Sequence, residues 1–484
     1  MNANHIAIVF ICYTALLFFI TYFTSKKATS ATFFVGNRRS PWFVVAYGMV
    51  GASLSGVTFM SVPGNVLNEN FYYIPLVFGF IAGYVVVATV LLPLYYKLNL
   101  ISIYSFLEQR FGFFSYKSGS LFFIISRSLG ATLRMFLVVS VLYEFVLKAY
   151  GFPFWAASVL FVLLILGYTF KGGIKTIVWT DTLQTTFMLL AVFISIYYIC
   201  KELDLGLLDM LTQVWEGPYS QILETDPHHK RYFLKQFISG MFITITMTGL
   251  DQDMMQKNLS CRNLKDAQKN MFTFSGILLL MNICFLVLGA ILVMYVKEKG
   301  ILVTDTDQIF PNVAIRSLGG VAGLTFVIGV LSAAYSSADG ALTALTTSFS
   351  IDILGIEKRN LDEKAKRKIR YITHFSFAVL FVLLILMFNV LKNDSIINLV
   401  YDIASYTYGP LLGLFAVGIY TKWKIVDRWT PVVVLASPLL CYLSVWVCKY
   451  CWNYSFGFEL LLLNGLLTAF GLWLFRDKKQ GLKI

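Results

Sequence analysis

The chain has 484 residues, of which 58% are hydrophobic and only 13% charged, against about a quarter charged in soluble globular proteins. With a mean hydropathy of +0.72, this composition excludes an ordinary soluble protein and indicates a polytopic membrane protein. The net charge of +13 would suit nucleic acid if it were gathered on one face, but the basic residues fall in alternate loops between apolar runs, which excludes that partner.

Runs of roughly 20 residues, long enough to cross a bilayer, fall at 5–24, 41–65, 71–97, 117–147, 152–170, 176–200, 236–256, 271–296, 313–345, 370–391, 396–420, 430–448 and 453–475. They predict an all-α membrane protein of about 13 helices, forming one domain over 1–484. Lys26, Lys27, Arg38, Arg39, Lys97, Arg110, Lys171, Lys175, the basic residues of 257–269, 358–370 and 422–428, and Arg476, Lys478 and Lys479 form the richer set of loops. Lys148, Lys201, Lys230, Arg231, Lys235, Lys297, Lys299, Lys392 and Lys449 form the poorer one. The positive-inside rule makes the richer set cytoplasmic, with the amino terminus outside and the carboxyl terminus inside a plasma membrane. Compact loops and short termini suggest a bacterial inner membrane.

The run from His5 has no basic residue before it and no small-residue cleavage site after it, so a retained helix is expected. The polar span 200–236, with Trp215, Pro218 and Tyr219 among acids, is expected to pack on the surface. The seven cysteines show no C-x-x-C pair and read as packing residues.

Two glycine-interrupted segments, 48–64 and 240–251, stand at matched places and open two blocks of five helices, 41–200 and 236–420. Such matched broken helices point to a midplane binding site in an inverted-repeat transporter. The other reading is tight small-residue packing. The helix 5–24 and two helices within 430–475 lie outside the repeats. Within the first segment, glycines and serines from Gly51 to Gly56 weaken the helix. Unwinding there frees carbonyls for a cation; alternatively, serines bonded back to the preceding turn make only a kink.

Arg127 and Arg134, seven residues apart, share a helix face. A guanidinium suits a carboxylate or phosphate, and Arg134, near mid-helix, is the candidate for a substrate carboxylate. Arg127 reads as a structural ion pair or a snorkelling side chain. Asp181 lies one to two turns inside a helix beginning after Gly173, with Gln184 on its face. Asp251 and Asp253, followed by Lys257 and Arg262, read as a cytoplasmic gate or helix end. The stretch 331–354 puts Ser336, Ser337 and Asp339 inside a membrane segment, where a lone acid costs about 2.5–3.5 kcal/mol on insertion scales. A cation joining Asp181, Asp339 and Ser336 would let both acids ionise close together; an interfacial Asp181 touching water is the alternative. No zinc cluster, phosphate-binding loop or catalytic triad appears, and the four histidines are scattered or exposed. An ATP-driven pump or a hydrolase is disfavoured, and neither an enzyme nor an organic cofactor is expected.

Together the pieces FFVGNRRSPW, GASLSGVTFMSVPG, KGGIKTIVWTDTLQ, GLDQDMMQKNLSCRNLKDA and AAYSSADGALTALTTSFSIDI resemble the sodium:solute symporter family, in an order that spans nearly the whole chain. The resemblance implies a five-plus-five inverted repeat of the LeuT-like kind, alternating access and Na+ as coupling ion, with a small solute and the bilayer as partners and no obligatory protein partner. It implies a core sodium site at Gly51, Leu54, Ala333, Ser336 and Ser337, and a second sodium or proton site at Asp181 and Asp339. Asp339 and Gly340 replace the commoner serine or threonine, which puts two-sodium coupling in doubt. Substrate positions carry over to Ser53, Ser55, Thr58, Arg134, Thr244 and Thr248. The glucose-type sugar set has no counterpart, so the expected cargo is an organic anion such as a sialic or sugar acid. A proton-coupled carrier of the same fold and a solute sensor are the alternatives.

Overall fold

The computed structural model describes residues 3–25, 30–303, 305–391, 396–454 and 456–477. Lys26, Lys27, Lys392, Lys478 and Lys479, counted in the charge asymmetry, lie outside the described residues. Among the described residues nine helices are long and apolar enough to cross a membrane, eleven if each of two bent pairs is one span, and shorter apolar helices at Phe154–Phe170 and Leu460–Leu474 occupy the remaining predicted positions. Each predicted run therefore contains a helix, the last only from Leu460, but nine to eleven candidate spans stand against the about 13 expected. The run expected at 313–345 is interrupted: a wide turn over Asn312–Leu318 ends at Gly319, and the straight helix runs Gly320–Ser348.

The first bent pair, Trp42–Ser53 and Gly56–Glu69, turns by 56°. It breaks where the sequence is weakest as a helix: Leu54 (φ −80°, ψ 72°) and Ser55 (φ −67°, ψ 172°) leave helical geometry between Gly51 and Gly56. Pro63 falls well inside the second half. The second pair, Phe233–Gly249 and Gln252–Leu259, turns by 64°. Its first half ends in a π-helical turn, Ile245–Gly249, and the chain extends at Asp251 (φ −104°, ψ 124°). Such widened turns gather at functional sites because they leave backbone groups without regular partners.

Four further apolar helices follow each bent pair, up to Glu202 and up to Tyr420. The helix Ile174–Glu202 packs against both Trp42–Ser53 and Gly320–Ser348. The amino-terminal helix Ala3–Thr24 docks on the serine-rich one, where Ser332 Oγ donates to Tyr13 Oη at 2.8 Å. The polar span after Cys200 carries a helix, Leu207–Glu216, that buries Met210 and Val214, so it packs as expected.

Candidate functional site

Two neighbouring regions are built around the two breaks. At the first, the Leu54 N–H bonds back to the Val50 carbonyl at 2.8 Å. The later carbonyls of that turn have no continuing helix to donate to them. Gly51 allows the break to press on the Ile174–Glu202 helix: its N–H donates to Thr185 Oγ1 at 3.0 Å, and a Cβ there would lie 2.3 Å from the same oxygen. Ala333, Ser336 and Ser337 are all buried on the Gly320–Ser348 helix. Ser336 Oγ donates to Asp181 Oδ1 at 2.8 Å. Ser337 Oγ is buried with no hydrogen-bond partner among the described residues.

The second break is filled by its own charges. Asp251 caps the following helix, accepting from the N–H groups of Asp253 and Met254 at 2.9 and 3.3 Å, and Tyr408 Oη donates to its other oxygen at 2.5 Å. Arg127 bonds Asp253 and lies 3.6 Å from Asp251, which makes it the structural ion pair of the two alternatives. Both acids are fully buried helix-end groups.

Lys257 is a correction. Counted by its sequence neighbours among cytoplasmic loop residues, it lies one turn along the Gln252–Leu259 helix with a side chain 1% exposed, its Nζ 2.9 Å from Asp181 Oδ2 and 3.6 Å from Asp253 Oδ1. Asp181 is thus no interfacial acid in contact with water. Its partners are Lys257 and Ser336, while the Gln184 amide, expected beside it, has no hydrogen bond among the described residues. Asp339, a turn beyond Ser336, accepts from Tyr168 Oη at 3.0 Å on Oδ2, and its Oδ1 has no hydrogen-bond partner among the described residues. His374, expected to be scattered or exposed, is buried between Thr169 Oγ1 (2.9 Å) and Thr346 Oγ1 (2.8 Å).

Between the breaks lies a cavity with about 760 Å³ of non-protein space, part of it open to solvent. All six residues expected to face a solute, Ser53, Ser55, Thr58, Arg134, Thr244 and Thr248, line it. Sequence reasoning missed the aromatic part of the wall, Tyr73, Phe80, Tyr84 and Tyr401, together with Asn282. The Tyr84 hydroxyl sits among Ser53, Thr244 and Thr248. Arg134 differs from Arg127: it forms no ion pair with any described residue.

The two ends of the cavity are closed unequally. One is covered by the Tyr73–Tyr401 hydroxyl pair at 3.1 Å and, beyond it, the Glu69–Arg231 ion pair at 2.6 Å. The other has a thick layer, in which Tyr104 Oη donates to the Leu250 carbonyl at 2.8 Å, Gln252 Nε2 to the Ile101 carbonyl at 2.8 Å, and Tyr116 and Ser102 to Asp352 at 3.0 and 2.7 Å.

Two broken helices flanking a polar cavity, each leading a block of five spans, define a membrane transporter of the alternating-access type. The sodium:solute symporter family model matches residues 33–426, and the chain belongs to that family: it is a sodium-coupled symporter, not an enzyme. It is 25% identical to the sodium/sialic acid symporter SiaT of Proteus mirabilis (strain HI4320), over 86% of this chain and 84% of that one. It is equally 25% identical to the sodium-coupled monocarboxylate transporter 1 of Xenopus laevis, over 87% of this chain and 67% of the relative. Its fold matches that of a substrate-bound, outward-open Na+-coupled sialic acid symporter with a TM-score of 0.83 at 22% identity, covering 97% of each chain.

Proposed function

We propose that the transporter imports a small organic anion of the sialic- or sugar-acid kind, held by its carboxylate on Arg134. The observation that carries this reading is the Arg134 guanidinium, without an ion-pair partner among the described residues, in a wall that also presents hydroxyls and aromatic rings. A cation in the cavity wall with no counter-ion from the described residues is open to an anionic solute, and a solute carboxylate supplies the bidentate partner its planar fork favours. Ser53, Ser55, Thr58, Thr244 and Thr248 supply the hydrogen bonds that a polyhydroxylated body needs, and Tyr73, Phe80 and Tyr401 its apolar contacts. That relatives are named for sialic acid and for monocarboxylates supports a carboxylate as the common element.

The coupling sodium fits residues at the first break. Ser337 Oγ is a buried oxygen in need of a partner, and hydroxyls and peptide carbonyls are the hard ligands an alkali cation takes. Ser336, Ser337 and the carbonyls of Gly51, Leu54 and Ala333 would hold it, drawing the broken helix onto the serine-rich one. Because Ser53 and Ser55 adjoin those carbonyls in sequence, fixing the break also fixes part of the solute wall, and the two ligands favour each other reciprocally. The repeats are 41–200 and 236–420. The basic loops face the cytoplasm, which puts the thin Tyr73–Tyr401 closure outside, the amino terminus outside and the carboxyl terminus inside a bacterial plasma membrane.

Uptake into proteoliposomes of labelled sialic acids, sugar acids, neutral sugars and amino acids, with and without a sodium gradient, tests this. The acids are expected to enter only with sodium. Arg134→Ala should weaken their uptake by roughly 10- to 100-fold, as expected for a charged hydrogen bond. Sodium-driven uptake of a neutral solute that is indifferent to Arg134→Ala would refute it.

A further inference from the structure

The carboxylate of Asp181, with Ser336 and Asp339 on one face of the serine-rich helix, offers the oxygen set of a second cation site. The side chain that lies there is Lys257. Its Nζ is 2.9 Å from Asp181 Oδ2 and 3.6 Å from Asp253 Oδ1, and the residue is as buried as the acids it joins. Ser336 Oγ donates its proton to the remaining Asp181 oxygen at 2.8 Å. Gly340 makes room for this arrangement: a Cβ there would lie 2.5 Å from Asp253 Oδ1, so a serine or threonine would push that carboxylate away from the serine-rich helix. Arg127 and Lys257 lie in one buried network with Asp181, Asp251 and Asp253, and Lys257 is the cation that reaches Asp181. A sodium ion on Asp181 would have to displace the ammonium or share the carboxylate with it, and like charges at that separation repel.

We propose that the Lys257 ammonium is the resident cation of the Asp181–Ser336–Asp339 site, standing where a second sodium would bind, so that the transporter carries one coupling sodium per cycle. This rests on the reading of Ser336 and Ser337 as ligands of the core sodium and is independent of which solute is carried.

Equilibrium binding of radiolabelled sodium to the purified full chain in detergent, without solute, tests it. The wild type and Lys257→Arg are expected to bind one sodium per chain with a Hill coefficient near one, and Ser337→Ala to lose it. Lys257→Ala, in which Asp181 is left without its counter-ion, is expected to bind two, and adding Asp181→Asn to that variant should restore one. Two sodium ions on the wild type would overturn the inference while leaving the core site standing. A single sodium that survives Ser337→Ala but is lost in Asp181→Asn would also overturn it, since the ion would then occupy the place assigned to the lysine. Should Lys257→Ala fail to fold, the wild-type count and the two single variants decide the matter alone. Sodium-independent uptake of every solute in the panel would instead defeat the functional reading, whatever the count.

Discussion

The two broken helices differ in how their broken ends are satisfied. The first, at Leu54–Ser55, holds no charge, and an orphaned serine hydroxyl, Ser337 Oγ, stands on the serine-rich helix packed near it. The second, at Leu250–Asp251, is capped by its own carboxylate and tied to Arg127, Tyr408 and Lys257. Bends of similar size, 56° and 64°, thus end differently: one leaves hydrogen-bonding capacity unused, and the other consumes it. A break becomes a binding site when its polar groups are left unpaid by the protein itself.

The sharpest way to break this comparison is to open the satisfied end. Asp253→Ala leaves Arg127 and Lys257 short of a partner in the interior, and losing one member of a buried charge set costs about 3–5 kcal/mol. A large fall in the melting temperature of the detergent-solubilised protein, with or without sodium, is expected. Gly51→Ala should come next: its Cβ would collide with Thr185 Oγ1 at 2.3 Å, and overpacking costs about 1–3 kcal/mol. Adding Thr185→Ala should recover much of that stability, although not the N–H bond, and a double-mutant cycle measures the coupling.

Ser337→Ala is expected to do the reverse of Asp253→Ala. Its hydroxyl has no partner among the described residues, so the sodium-free melting temperature should stay near wild type while the stabilisation by saturating sodium disappears. Equal destabilisation in both conditions would mean that the first break is as self-contained as the second. The smallest effect expected is from Tyr73→Phe, which removes one bond of the thin closure, worth about 0.5–1.5 kcal/mol. It should change the rate of solute exchange more than the stability, as a stopped-flow or counterflow measurement would show.

Much of this was legible in the chain. The apolar runs gave the helices, and the glycines and serines between Gly51 and Gly56 placed the first break within two residues. That six of the sequence's candidate residues line one cavity was also legible, because the family resemblance fixed which helices face one another. Lys257 was not legible: it follows two acids and precedes Arg262 and Lys265, so a rule that counts basic residues between apolar runs assigns it to a loop. Only the packing of the Ile174–Glu202 helix, which brings Asp181 against it, reveals its burial. Tyr73, Tyr84 and Tyr401 were lost for a related reason, since a tyrosine at a cavity wall and one in an interfacial belt have the same local sequence signature.

The role proposed for the lysine would also set an energetic ceiling. With one sodium and a monovalent anion per cycle, as proposed, the cycle would move no net charge, so a membrane voltage worth about 2.3 kcal/mol per charge at 100 mV would do no work on it. Accumulation is then limited by the sodium concentration ratio alone, about tenfold for each tenfold ratio. On that stoichiometry a cell would gain a supply of solute that is steady against swings in voltage and give up the steeper concentration that a second sodium would drive.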